Sequence, residues 1–476
     1  MQIRGHDTAS AGSNGEEKLS AWKGPGSYGQ VLSVGWPLVF SMISNTVMQF
    51  TDRIFLGNYS LEALAAVLPA GIASFLFMSF FMGVGEYVSV FVAQYTGAGR
   101  HERVGAALWQ GIWFAIPSGL VLALLAFAGP MIFNVSGHPS EIRALEIVYF
   151  QILSCGAGLG VLGACLSSFY SGRGMTKAVM VVNMTGAALN IPLDYALING
   201  WGPFPEMGIA GAGLATVTGS GVIVLLLSLL IFRRENEESF KVRSAWHFDF
   251  KLFRSLMRFG LPGGFQFFID MFAVTFFVFM AGRLGTTELA ATNIVISLDL
   301  VAFLPCVGFS IAASVLVGQS IGAGKPELGV LVTRRALHLA QIYMGTMCAL
   351  FLLFPVPLLE LFRTQGMSDA DFAPILEMGR IMLRFVAAYS LLDAGMLVYS
   401  GALKGAGDSR YVMWTLAFSS VSFMVLPLWV LVNWLDASYV HLWMMLTLYA
   451  CILCFVFRRR FQGGKWRSMS VIEKTP

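Results

Sequence analysis

Six carboxylates sit where the chain is otherwise apolar: Asp52, Glu86, Asp194, Asp270, Asp299 and Asp393 fall within or at the ends of long hydrophobic runs. A charge at the centre of a bilayer costs ~2.5–3.5 kcal/mol on insertion scales, so such side chains are seldom kept without a task. In the stretch NIPLD, Asn190 and Asp194 are four residues apart and share a helix face. Pro192 between them cannot donate a backbone hydrogen bond and so frees the carbonyl of Ala188. An amide oxygen, a carboxylate and a free carbonyl are hard-oxygen ligands suited to a proton or a small hard cation.

Asp270, in the middle of GLPGGFQFFIDMFAVTFFVF, is too deep to snorkel, and Asp393 follows Tyr389 by one helical turn on the same face. If these two acids are close they share a proton more readily than both ionise; if far apart, each is a buried hydrogen-bonded acid. Asp52, followed by Arg53, is expected to close its helix, where the pair either serves a site or snorkels to the interface. Glu86 and Asp299 have no evident partner and either line an aqueous cleft, as substrate-facing residues, or bond a neighbouring helix.

The elements that must position these side chains are membrane helices. Of 476 residues 56% are hydrophobic and only 12% charged, a composition outside that of ordinary soluble domains. Twelve segments are long enough to span a bilayer: 31–53, 63–95, 105–128, 144–170, 178–198, 209–232, 256–282, 287–320, 328–354, 374–402, 411–433 and 437–457. They are continuous apolar runs without the alternation a transmembrane barrel needs, so the fold expected is all-α. With both termini in the cytoplasm, 25 of the 31 lysines and arginines fall on that side, which predicts an even number of spans in a cell inner or plasma membrane. These cations are scattered over short loops and form no nucleic-acid surface.

The sequence also repeats itself. At an offset of 225 residues Gly35, Pro37, Gly83, Gln94, Gly97, Gly99 and Glu102 fall on Gly260, Pro262, Gly308, Gln319, Gly322, Gly324 and Glu327. At 233, Gly172, Gly174 and Lys177 fall on Gly405, Gly407 and Arg410. Six spans per repeat is an even number, so the two repeats enter the membrane in the same direction, a plan common among transporters that rock about a central cleft. The expected divisions are a cytoplasmic tail at 1–29, an N-lobe at 30–235, a linker and C-lobe at 236–457, and a cytoplasmic tail at 458–476. The acids break the symmetry, since Asp52 maps onto Phe277 and Asp194 onto Pro427, which gives each lobe its own acidic set.

Enzyme motifs are missing or accidental. Gly158, Gly160 and Gly163 satisfy GxGxxG but lie inside the fourth span, and no GxxxxGK[ST] phosphate loop occurs. Cysteines fall inside spans, where packing explains them. No catalytic residues, metal or cofactor are expected.

The stretch LNIPLDYALINGWGPFPEMGIAGAGLAT, with FTDRIFLG, VAQYTGAGR, VGQSIGAGK and LLDAGMLVYSGALKGAGDSR, resembles the multidrug and toxic-compound extrusion (MATE) family over roughly residues 30 to 455. The resemblance implies twelve helices in two six-helix lobes, and export of small organic, often cationic, compounds in exchange for Na⁺ or H⁺. By motif position it places an N-lobe cation site on Asp52, Asn190, Asp194 and Thr216, and C-lobe acids on Asp270 and Asp393 with Tyr389 beside the latter. Many bacterial members carry Glu where this chain has Asp270. The expected partners are the lipid bilayer and a small molecule, with the chain acting as a monomer. The competing expectation is a flippase of lipid-linked metabolites on a related fold. That activity needs a cation in the cleft, and the sequence places no Lys or Arg in the middle of a span.

Overall fold

The computed structural model describes residues 22–134, 138–363, 368–435 and 437–473, so most of the expected N-terminal tail lies outside the described residues. Among the described residues twelve helices are long and apolar enough to cross a membrane: α1 (Tyr28–Tyr59), α2 (Leu61–Gly97), α3 (Glu102–Phe133), α4 (Ser140–Ser171), α5 (Thr176–Asn199), α6 (Ile209–Ile231), α7 (Phe250–Leu284), α8 (Thr286–Gly322), α9 (Pro326–Leu353), α10 (Asp369–Ala406), α11 (Ser409–Trp434) and α12 (Tyr439–Gln462). Most extend past the apolar runs because polar residues at their ends are capped or sit in the last turn. Ser27 accepts from the backbone N–H of Gln30 at 3.1 Å, Ser60 from Ala63 at 3.2 Å and Asp249 from Leu252 at 3.1 Å, each satisfying a donor the helix start leaves open.

The two halves pack alike. In the first, α1 lies on α5, α4 packs on α2, α3 and α6, and α5 on α6; in the second, α7 lies on α11, and α10 packs on α8, α9 and α12. The halves meet along α2–α7, α1–α8 and α2–α8. These contacts gather at the face that carries both chain ends. There a Cβ on Gly97 would stand 2.0 Å from the Gln319 carbonyl oxygen, and one on Gly322 2.0 Å from that of Gln94, so the two backbones touch where only glycine fits. Further in, Phe80 packs on Phe265 with ring centroids 4.9 Å apart, and Phe75 on Phe267 at 6.0 Å.

Residues 463–473 pack back onto the helices. Trp466 is fully buried and stacks on Phe461 with centroids 4.8 Å apart. Val471 is buried in a cluster of first-half side chains with Leu252 and Leu256 of α7, while its N–H and the Ser470 hydroxyl both donate to Gln94 Oε1, at 2.9 and 3.0 Å. The apolar Trp and Val explain this packing: the segment carries enough hydrophobic surface to dock, which charge counting over 458–476 hides.

Candidate functional site

Four helices build the first-half site. α1 continues through Asp52 to Tyr59, which corrects the expectation of a helix-end pair: Asp52 is 5% exposed, whereas Arg53 points outward. On α5, Asn190 and Asp194 are both fully buried on one face, with Pro192 inside the helix between them. Thr216 on α6 donates its hydroxyl to the Ala212 carbonyl at 3.1 Å. α6 can approach because position 219 is glycine, where a Cβ would already lie 3.3 Å from the Asn190 Cβ. At 1.5 Å of rise per residue, Asp52, Asp194 and Thr216 all lie ~10 Å beneath the face opposite the chain ends.

The carboxyl groups of Asp52 and Asp194 adjoin one another. Asp52 Oδ1, both carboxylate oxygens of Asp194 and both amide atoms of Asn190 are buried without a hydrogen-bond partner. Buried polar atoms are seldom left this way, and two carboxylates in contact repel unless a proton or cation lies between them. The donor set, hard oxygens in a dry pocket, suits a proton or a small hard cation.

In the second half, Asp393 lies within Coulombic reach of both Asp299 and Asp270, and all three are half-buried. Tyr389 donates to Asp299 Oδ2 at 2.9 Å. The sequence places Tyr389 beside Asp393 and leaves Asp299 unpartnered; Tyr389 does lie within Coulombic reach of Asp393, but packing of α10 on α8 gives its hydroxyl to Asp299. Gln266 makes a long 3.5 Å contact from Nε2 to Asp270 Oδ2, and its Oε1 is buried without a partner. Glu86 lies where α2 breaks into Leu61–Glu86 and Val88–Gly97; its side chain is exposed toward the seam between the halves, within Coulombic reach of Lys404.

Lys404, in the last turn of α10 and so outside the middle of a span, places a cation beside these acids. α10 runs to Ala406, past the expected end at 402, and Lys404 lies within reach of both Glu86 and Asp270. Its backbone carbonyl accepts from the Tyr87 hydroxyl at 3.0 Å.

Three residues escape the sequence reading. Tyr149 on α4 is 6% exposed and meets Asp52, Asp194 and Thr216. Glu146, one turn earlier, is fully buried. Tyr449 on α12 reaches Asp270 and Asp393 and pairs with the Ser420 hydroxyl at 2.9 Å. Glu146 carries a signal that could have been used: it falls inside the expected span 144–170, flanked by Leu145 and Ile147.

Twelve apolar helices in two like-packed halves, each enclosing its own acids, define a multi-pass membrane transporter. The family model MatE matches residues 37–196 and 262–429. The probable multidrug resistance protein NorM of Pseudomonas syringae pv. tomato is 31% identical over 390 residues, 80% of this chain and 82% of that one. Its counterpart in Thermotoga maritima is 26% identical over 455 residues, 94% of each chain. Among solved structures, the outward-facing conformation of a multidrug resistance MATE family transporter superposes with a TM-score of 0.84 at 19% identity, covering 94% of this chain and 98% of that one. A transporter from Pyrococcus furiosus, described as having a binding pocket of reversed polarity, superposes at 0.82 with 20% identity over the same shares. The chain belongs to the MatE family, whose members are transporters and not enzymes.

Proposed function

We propose that this protein is a secondary active antiporter. It exports small organic compounds, cationic or amphipathic, in exchange for Na⁺ or H⁺ entering at the Asp52–Asp194 pair. One observation carries the reading: adjoining buried carboxylates, three of whose four oxygens have no hydrogen-bond partner, beside an equally unpartnered Asn190. An exchangeable cation removes that cost, and Thr216 and Tyr149 complete the polar wall. The half-buried trio Asp270, Asp299 and Asp393, with Tyr389, supplies negative charge toward the space between the halves, which suits a positively charged organic substrate.

Coupling needs only that ion and substrate prefer different states of the bundle. Tight backbone contact at the face of the chain ends supports reading this state as closed there and open opposite, with lobes 30–235 and 236–457 rocking about the seam. The excess of basic residues at that face supports a cytoplasmic location for both termini in the plasma or inner membrane.

The flippase reading is disfavoured by the surroundings of Lys404. Two carboxylates, Glu86 and Asp270, already face this cation, so little of its charge is left for a phosphate headgroup. The test is efflux of an organic cation such as tetraphenylphosphonium from proteoliposomes under an imposed Na⁺ or pH gradient, with Asp194→Asn and Asp393→Asn alongside. Gradient-driven efflux lost in Asp194→Asn supports the assignment. Efflux indifferent to both gradients removes the antiporter reading.

A further inference from the structure

Glu146 is the most deeply buried acid that the proposed exchange does not use. Its side chain is 0% exposed; Oε1 lies 2.7 Å from His138 Nδ1, and Oε2 is buried with no hydrogen-bond partner. The His138 side chain is 41% exposed, so its ring meets water while its partner does not. A bridge serving only to pin the start of α4 would gain nothing from a second carboxylate oxygen kept dry and unsatisfied.

The position of the pair supplies the rest. His138 lies two residues before α4, next to its N-cap Pro139, at the face opposite the chain ends. Glu146 stands ~9 Å below that face by helical rise, in the same layer as Asp52, Asp194 and Thr216. Tyr149 shares its helix face one turn on, and a helical side chain leans back toward the helix start, which brings the phenol toward the level of Glu146. Tyr149 in turn meets Asp52, Asp194 and Thr216. Other charged groups at this end of the surrounding helices are Glu141 and Arg143 on α4 itself, Glu62 at the start of α2 and Arg53 on α1; the outer turns of α3 and α6 carry none.

We propose that His138 and Glu146 form the outer station through which protons pass between solvent and the Asp52–Asp194 pair. This deepens the antiporter reading and rests on that pair being the ion site. In the inward direction a proton binds His138 Nε2 from water and the Nδ1 proton moves to Glu146 Oε1, leaving a neutral imidazole and a neutral carboxyl. The carboxyl then gives a proton toward the Tyr149 hydroxyl, which passes its own to the aspartate pair. One proton enters and one arrives; Glu146 and Tyr149 return to their starting states, while the imidazole is left as the Nε2–H tautomer and resets by giving the Nε2 proton to water and regaining one at Nδ1 as the exposed ring turns. The imidazole suits the solvent end because it can take a proton on one ring nitrogen and give one from the other.

The test uses the full chain in proteoliposomes with tetraphenylphosphonium and an imposed pH gradient. Glu146→Gln preserves shape and the contact to His138 but cannot carry a proton. It is expected to slow gradient-driven efflux at least ten-fold while binding of the probe and the melting temperature stay at wild-type values. His138→Gln is expected to slow efflux about three-fold and to flatten its dependence on external pH between 5.5 and 7.5. Wild-type rate and pH profile in Glu146→Gln overturn the proposal, and so does a loss of probe binding and thermal stability in parallel with the rate. If Glu146→Gln does not fold, the external pH profile of His138→Gln decides: a flattened profile supports the relay and an unchanged one ends it. Efflux driven by Na⁺ alone also ends it. Asp194→Asn separates the two readings, since gradient-driven efflux surviving in that variant defeats the ion site itself, whereas loss there with Glu146→Gln unaffected defeats the relay alone.

Discussion

Gln94 and Gln319 cross the seam in opposite directions. Nε2 of Gln94 donates to the Gly405 carbonyl at 3.0 Å and Nε2 of Gln319 to the Gly172 carbonyl at 3.0 Å. The residues exchange under the sequence repeat, so the bonds are two copies of one contact. Gln94 differs in one respect, because its Oε1 also holds the C-terminal segment through Ser470 and Val471.

The glycines one turn beyond these glutamines set how closely the halves can meet. Gly97→Ala or Gly322→Ala places a methyl group 2.0 Å from a backbone oxygen, which no side-chain motion relieves. Both variants are expected to hold the face of the chain ends apart by a few ångströms and to cut transport at least ten-fold. Spin-label distances across that face check this, and an unchanged distance distribution contradicts it.

Trp466 fills the space against Phe461 and Gly329 and is fully buried, with its indole N–H donating to the Phe461 carbonyl at 2.8 Å. Trp466→Ala is expected to cost ~3–5 kcal/mol of stability, the usual range for removing a buried aromatic. Thermal unfolding in detergent measures it.

Tyr389→Phe removes the hydroxyl that donates to Asp299 at 2.9 Å and leaves that carboxylate short of a donor. A loss of ~1–3 kcal/mol in stability is expected. Asp393→Asn, if the sequence pairing of Tyr389 with Asp393 were correct, would couple to Tyr389→Phe more strongly than Asp299→Asn does. A double-mutant cycle on melting temperature is expected to give the opposite order.

Asp249 joins the first half to α7: it caps that helix through the Leu252 N–H and pairs with Arg103 at 3.2 Å. Partial burial pushes its pKa up, but the Leu252 N–H and the Arg103 guanidinium outweigh it and hold the carboxyl below the usual range. A folded-state pKa below the unfolded one adds stability that is present above the unfolded value, about 3.9, and is lost as pH falls through the folded value. Asp249→Ala is therefore expected to lower stability by ~1 kcal/mol at pH 7, with the difference from wild type shrinking below pH 4. Unfolding measured at both pH values checks the sign.

The helices were legible in the sequence because hydropathy alone decides which segments can enter a bilayer, and the repeat at 225 residues gave the arrangement of the halves. Helix ends were less so: Asp52 looked terminal because Asp52-Arg53 interrupts the apolar run, yet the backbone continues to Tyr59. Asn190 and Asp194 could be paired from their spacing. Tyr389 with Asp299, Lys404 with Glu86 and Tyr149 with the aspartates could not, since each pair joins helices whose relative rotation no local pattern fixes. Glu146 was legible as an acid inside an apolar run, but its nearness to a helix start, where an acid is commonplace, masks that signal.

Ion release on substrate binding tests the exchange at Asp52 and Asp194 most directly. Adding tetraphenylphosphonium to the purified protein in weakly buffered solution, with proton and Na⁺ activities followed by electrodes, should expel one of the two cations from the wild type and none from the Asp52→Asn, Asp194→Asn double variant. Release of neither ion by the wild type, or undiminished release by the double variant, would contradict it.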